Sequence, residues 1–191
     1  MDILLPHRLR QILESELNKG EQVIWVAQPR PWRLAQMGIP CFLFGIPWTG
    51  FTLHMLAASC DFKFPELGEL LDFRIFSLIP FVLVGLGLLT VPLLGVRKAK
   101  KTVYAITTSR TIIIESILPG RSNIYSCWPS QLRAFFRKQA ADGSGDLFFS
   151  QEKTYPNDEP VVTRIGFLGI PRVKEVELLL SALRGDAPAE S

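Results

Sequence analysis

Cysteine and histidine are scarce in this chain, with three Cys and two His among 191 residues. Cys41, Cys60 and Cys127 are widely separated and odd in number, so their spacing offers no disulfide framework. There is no CxxC or HxxxH, which leaves a protein-bound metal without a ligand set. The same scarcity removes the common nucleophilic enzymes. Ser109, Ser116, Ser122, Ser126, Ser130 and Ser144 lie beyond the second long apolar run, whereas His7 and His54 both precede it. Cys127 has only the distant His7 as a candidate base. The expectation is a protein with no catalytic residue, no cofactor and no metal.

Charge is missing from two long stretches. Residues 34–58 and 75–96 contain no Asp, Glu, Lys or Arg. Each has the length a helix needs to cross roughly 30 Å of hydrocarbon at about 1.5 Å per residue. Two buried core helices would meet the same length, but globular helices rarely stay apolar on every face for so long. A cleavable leader is not expected. Arg8, Arg10, Glu14, Glu16, Lys19, Glu21, Arg30 and Arg33 precede the first apolar run, which comes too late for one.

Orientation follows from the charges beside the two runs. Arg30 and Arg33 stand before the first; Arg97, Lys98, Lys100 and Lys101 stand after the second. The connector holds Asp61, Glu66, Glu69 and Asp72 against Lys63, with Arg74 at the edge of the next run. A transmembrane hairpin at 34–96 with both termini cytoplasmic is therefore expected. Pro40, Pro47, Pro80 and Pro92 are tolerable in such helices, where neighbours satisfy the freed carbonyls. Gly38, Gly45, Thr52 and Ser59 recur every seven residues, a spacing that could let two helices approach closely. Trp32 and Trp48 are candidate interface anchors. His54, an ionisable group inside a run, raises a transport hypothesis, but neither run offers it an acidic partner. Its expected role is structural or interfacial.

The polar segments carry ordinary periodicities. "LPHRLRQILESELNKG", within residues 1–20, reads as an amphipathic helix with Leu9, Ile12, Leu13 and Leu17 on one face. "EQVIWVAQP", within residues 21–33, reads as a first strand. After the apolar runs come "TVYAI", "RTIIIES", "SNIYSCW", "LRAFFRKQ", "DLFFSQ" and "PVVTRIGFLGI", separated by turn signals. "PRVKEVELLLSALRG" is a closing helix, with Pro171 at its start and Gly185 at its end. Residues 97–185 then form the cytoplasmic domain, and 186–191 read as a disordered tail. The expected fold class is α+β: the membrane hairpin plus a small antiparallel β sandwich or barrel with a C-terminal helix.

The order "GEQVIWVAQP", two apolar runs, "YAITTSRTIII", "DGSGDLFF" and "GFLGIPRVKEVELLL" resembles the bacterial pleckstrin-homology-like membrane proteins, many of unknown function. The resemblance spans most of the chain from Gly20 to Leu183. It implies a pleckstrin-homology-like fold, two antiparallel sheets with a C-terminal helix, located at a bacterial inner membrane. It carries over no catalytic residue. It also implies that Glu21 to Ala27 belongs to the same domain as the strand at Thr102, with the membrane hairpin inserted between them.

Two groups of residues are candidates for binding. Arg30, Arg33, Arg97, Lys98, Lys100 and Lys101 could meet anionic headgroups, or could serve as a topology signal alone. In "LRAFFRK", strict alternation would place Arg133, Phe135 and Arg137 on one face, close across a β-hairpin to Phe148. That face is either a partner-binding patch or the seat of the N-terminal helix, which is the expected cover. "DGSGD" lacks the full calcium pattern and the P-loop lysine, so a hairpin turn is expected there. Residues 102–191 hold ten basic and ten acidic side chains, so the net charge of +3 comes from the flanks of the apolar runs. A nucleic-acid binder would need a basic face on the domain itself. The expected partners are membrane lipids and a protein partner or a second copy, without nucleic acid. A protein-interaction module leads, with a sensor of anionic lipid as the alternative and a transporter subunit behind both.

Overall fold

In the computed structural model, residues 5–59, 73–118, 121–154 and 161–185 are described. The chain divides into two compact units. One, here the headpiece, is Met1–Arg33 with Lys98–Ser191; the other is Leu34–Arg97.

The headpiece is α+β. It opens with helix α1, His7–Glu16, whose first turn follows Pro6; the Leu9 amide donates to the Pro6 carbonyl at 2.9 Å. Strand β1, Val23–Ala27, comes next, and helix α2, Pro31–Gln36, leads out of the unit. The expected first strand over 21–33 is therefore shorter than its segment. Pro29 and Pro31 cannot donate to a ladder, and Pro31 is well suited to open a helix.

Strands β2, Thr102–Thr107; β3, Thr111–Leu118; and β4, Arg121–Cys127, continue the first sheet. Its order is β1-β2-β3-β4, antiparallel throughout. Ala27 lies opposite Tyr104, so β1 joins the same sheet as β2 although the Leu34–Arg97 unit separates them in sequence. Strands β5, Phe136–Gln139; β6, Gly145–Thr154; and β7, Val161–Ile170, form a second antiparallel sheet, β5-β6-β7. Helix α5, Val173–Arg184, closes the unit and stops at Gly185, whose φ of +89° suits glycine.

Every residue of β2 is buried because both faces of the first sheet are covered. On one face Tyr104 and Ile106 join Leu147, Phe149, Phe167, Val176 and Leu180, a core shared by both sheets and α5. On the other, Val103, Ala105, Ile112 and Ile114 lie under Leu9 and Leu13 of α1. Burying each of those leucines contributes roughly 1.5–3 kcal/mol. The N-terminal helix was expected to cover the "LRAFFRK" hairpin; it covers the outer face of β2 and β3 instead.

The second unit contains helix α3, Ile39–Ser59, and most of helix α4, Phe73–Lys100. Both are long and apolar enough to cross a membrane, with mean hydropathies of 1.4 and 2.3. The first apolar stretch is not one helix from residue 34: a turn at Met37 and Gly38 separates α2 from α3. The second extends past its expected end at residue 96, through the basic residues to Lys100. Small residues set the contact between α3 and α4. A Cβ on Gly45 would sit 3.0 Å from that of Leu88, and one on Gly85 only 2.4 Å from Thr49 Oγ1. Trp48 Nε1 donates to the Phe81 carbonyl at 3.1 Å. The acidic connector and the C-terminal tail lie outside the described residues.

Candidate functional site

The basic residues flanking the apolar runs are largely engaged within the headpiece. Arg33 forms a bidentate contact with Asp146, with Nη2 2.7 Å from Oδ2 and Nε 3.3 Å from Oδ1. Asp146 also accepts the Gly169 amide at 2.9 Å. Burial pushes the Asp146 carboxyl up, but Arg33 and the Gly169 amide outweigh it and hold it below the usual range. Arg30 pairs with Asp142, and its amide donates to the Gly169 carbonyl at 2.9 Å. Hydrogen bonds from Ser144, then Arg30, bring Asp142 down to about 2.

Lys98 pairs with Glu115 at 3.2 Å, and Lys101 Nζ donates to the Ile117 carbonyl at 3.3 Å. Among the described residues, only Arg97 and Lys100 of the six have no acidic or carbonyl partner for their side chains. The six residues are therefore not one free cationic cluster: acids supplied by other strands and turns divide them.

"DGSGD" is the β5–β6 turn, as expected. Asp142 Oδ1 accepts the Ser144 amide at 3.1 Å, and Gly143 adopts φ +74°. Its two aspartates are the partners of Arg30 and Arg33. Sequence reading missed that pairing because the arginines and aspartates are more than a hundred residues apart.

The aromatic patch is not one face. Residues 132–135 form no strand, since the 3-10 turn at Pro129–Gln131 carries the chain from one sheet to the other. Alternation starts only at Phe136, where Phe136 opposes Phe148 and Arg137 opposes Leu147. Phe135 and Arg137 lie toward α5: Phe135 stacks under the Arg184 guanidinium at 4.4 Å, and Arg137 pairs with Glu177. Arg133 sends its carbonyl to Arg184 at 2.6 Å. Phe148 belongs to the opposite face with Phe136, at a ring separation of 6.1 Å. Arg164 and Lys138 lie over the Phe136 ring at 5.3 and 5.9 Å. The cover over Phe135 and Arg137 is thus the C-terminal helix.

A buried ion pair sits at the far end of the first sheet. Arg110 Nε is 3.1 Å from Glu21 Oε1, and Thr107 Oγ1 donates to the same oxygen at 2.6 Å. Arg110 also reaches the Glu16 carbonyl, Ser126 Oγ and the face of Trp128. Burial pushes Glu21 up, yet hydrogen bonds from Arg110, Thr107 and the Asn18 amide bring it to about 2. One guanidinium therefore ties α1, the α1–β1 connection, the β2–β3 turn and β4 together.

A cleft of about 400 Å³ opens beside β4. Its walls include Ile124, Tyr125, Ser126 and Cys127 on one side and Phe149, Ser150, Gln151 and Ile165 on the other. Burial pushes the Cys127 thiol up, against hydrogen bonds with Ser150 and Thr111. No group of three or more His, Cys, Asp and Glu able to hold a metal occurs among the described residues. Comparison with family models, with curated proteins and with solved structures finds no match.

Proposed function

We propose that this chain is an integral protein of a bacterial inner membrane and that its pleckstrin-homology-like headpiece is a cytoplasmic protein-interaction module. In this reading α3 and α4 both cross the bilayer, and the two termini lie on the cytoplasmic side. The observation that carries the membrane assignment is how little of the apolar helices is covered. In their most apolar 18-residue windows, 17% of α3 and 6% of α4 are buried. Phe42, Phe44, Phe51, Leu83, Leu86 and Leu93 are among the large apolar side chains left exposed. Side chains this apolar on every face need hydrocarbon around them. The orientation rests on the basic flanks at Arg30, Arg33 and Arg97 to Lys101.

The choice of a protein partner over a lipid headgroup rests on the ion pairs. Each basic side chain at an anionic surface is worth about 1 kcal/mol. Asp142, Asp146 and Glu115 neutralise Arg30, Arg33 and Lys98, which removes half of the candidate headgroup contacts. Residues 102–191 carry no net charge that would replace them.

The test is amide hydrogen exchange of the full chain reconstituted in neutral and in anionic vesicles. A protein-interaction headpiece exchanges identically in both. Protection of the headpiece that appears with anionic lipid and disappears with salt would favour a lipid sensor instead.

A further inference from the structure

We infer that β4 receives an extended, uncharged segment of a partner protein as an added strand, seated in the cleft between the two sheets. This rests on the protein-interaction reading above and names where and how the partner binds.

The first observation is an unpaired edge. Among the described residues β4 is the last strand of its sheet, and over Arg121–Cys127 it pairs only with β3. Seven residues at about 3.3 Å each give an edge of roughly 20 Å, with alternate amides and carbonyls turned outward. Edge strands usually resist strand addition through prolines, inward charges or bulges. β4 has none of these from Ser122 to Cys127: the stretch contains no proline and no charge, and its register with β3 is regular there.

The second observation is a matching edge across the cleft. β5 pairs with β6 only from Gly145 to Phe148, and the Arg133 amide then takes the Phe149 carbonyl at 2.8 Å. Beyond that point β6 continues to Thr154, paired with β7 on its other side. Among the described residues, its β5-facing edge from Ser150 onward has no strand neighbour. The cleft thus adjoins two incomplete ladders, one from each sheet.

The lining gives the occupant's chemistry. Ile113, Phe149 and Ile165 supply an apolar floor, and Ser126, Gln131 and Gln151 supply neutral hydrogen-bonding groups. Among the described residues the lining carries no charged side chain, so a charged group entering it there would lose water without gaining a counter-charge. An extended segment alternating apolar and small polar residues satisfies both the ladder and the floor.

The experiment uses the full chain in detergent micelles and a blocked seven-residue peptide of alternating threonine and valine. Fluorescence anisotropy reads its affinity, and amide hydrogen exchange reads its place. Strand addition predicts protection of residues 121–127 and 150–154. It also predicts at least a tenfold loss of affinity for the fully N-methylated peptide, which cannot donate backbone hydrogen bonds. Gln151→Lys, at an exposed position the fold tolerates, should weaken the unmethylated peptide to a similar degree. Equal binding of the methylated peptide, protection elsewhere, or no binding would overturn the inference. None of these results touches the protein-interaction reading, which stands or falls on the vesicle experiment.

Discussion

Glu21 and Arg110 lie 89 positions apart in sequence, yet the fold buries them together with only a few hydrogen-bonding groups around them. Breaking one half of such a pair leaves a buried charge without its counter-charge, a loss of about 3–5 kcal/mol. Glu21→Ala should therefore lower headpiece stability by about 3 kcal/mol in urea titrations followed by tryptophan fluorescence. Acid should act through the same carboxylate. Its folded pKa is about 2 against an ordinary 4.5, so its contribution is complete above that ordinary value and lost as pH falls toward 2. Asp146, held down by Arg33, adds a loss in the same direction. Glu21→Gln should flatten the acid limb of the stability curve; an unchanged limb would assign the loss to other groups. Gly166 is constrained by space alone. A Cβ there would lie 2.2 Å from the Leu147 carbonyl, so Gly166→Ala should disrupt the β6–β7 pairing and expose the Phe167 core to faster exchange.

At the scale of elements, α1 stabilises the first sheet by covering its outer face. Leu13→Asp should uncover Val103, Ala105, Ile112 and Ile114, raising dye binding and exchange in β2 and β3 while α5 stays protected. In the other unit Gly85→Ile should separate α3 from α4, since its Cβ would meet Thr49 and Trp48. The readout is weakened cross-linking between cysteines placed across that contact.

Helices α1 and α5 were legible because their leucines and valines recur at helical spacing between a proline and a glycine. β2 to β4 were legible because β-branched runs alternate with turn residues. "LRAFF" misled because its alternation belongs to two structures: Leu132 enters the core after a 3-10 turn, and the strand begins only at Phe136. The break at Gly38 was hidden inside a stretch without charge, where composition carries no boundary.

For the whole molecule, local sequence identified the basic residues but not their partners. Arg30 and Arg33 look like membrane contacts when read beside an apolar run. Only the fold brings Asp142 and Asp146 to them. The cleft was equally invisible, because its walls come from strands of two sheets whose meeting is a property of topology.

The two-span assignment supports every functional statement made about this chain, and side-specific labelling addresses it. Cys127 is a poor reporter, being buried; Ala141, exposed in the β5–β6 turn, is a better position for one. Two single-cysteine forms of the full chain, retaining Cys60 or carrying Ala141→Cys, would be expressed in bacterial cells and treated with a membrane-impermeant maleimide. The account predicts that intact cells label Cys60 and that the cysteine at position 141 reacts only after lysis. Labelling of position 141 in intact cells, or of Cys60 only after lysis, would contradict it.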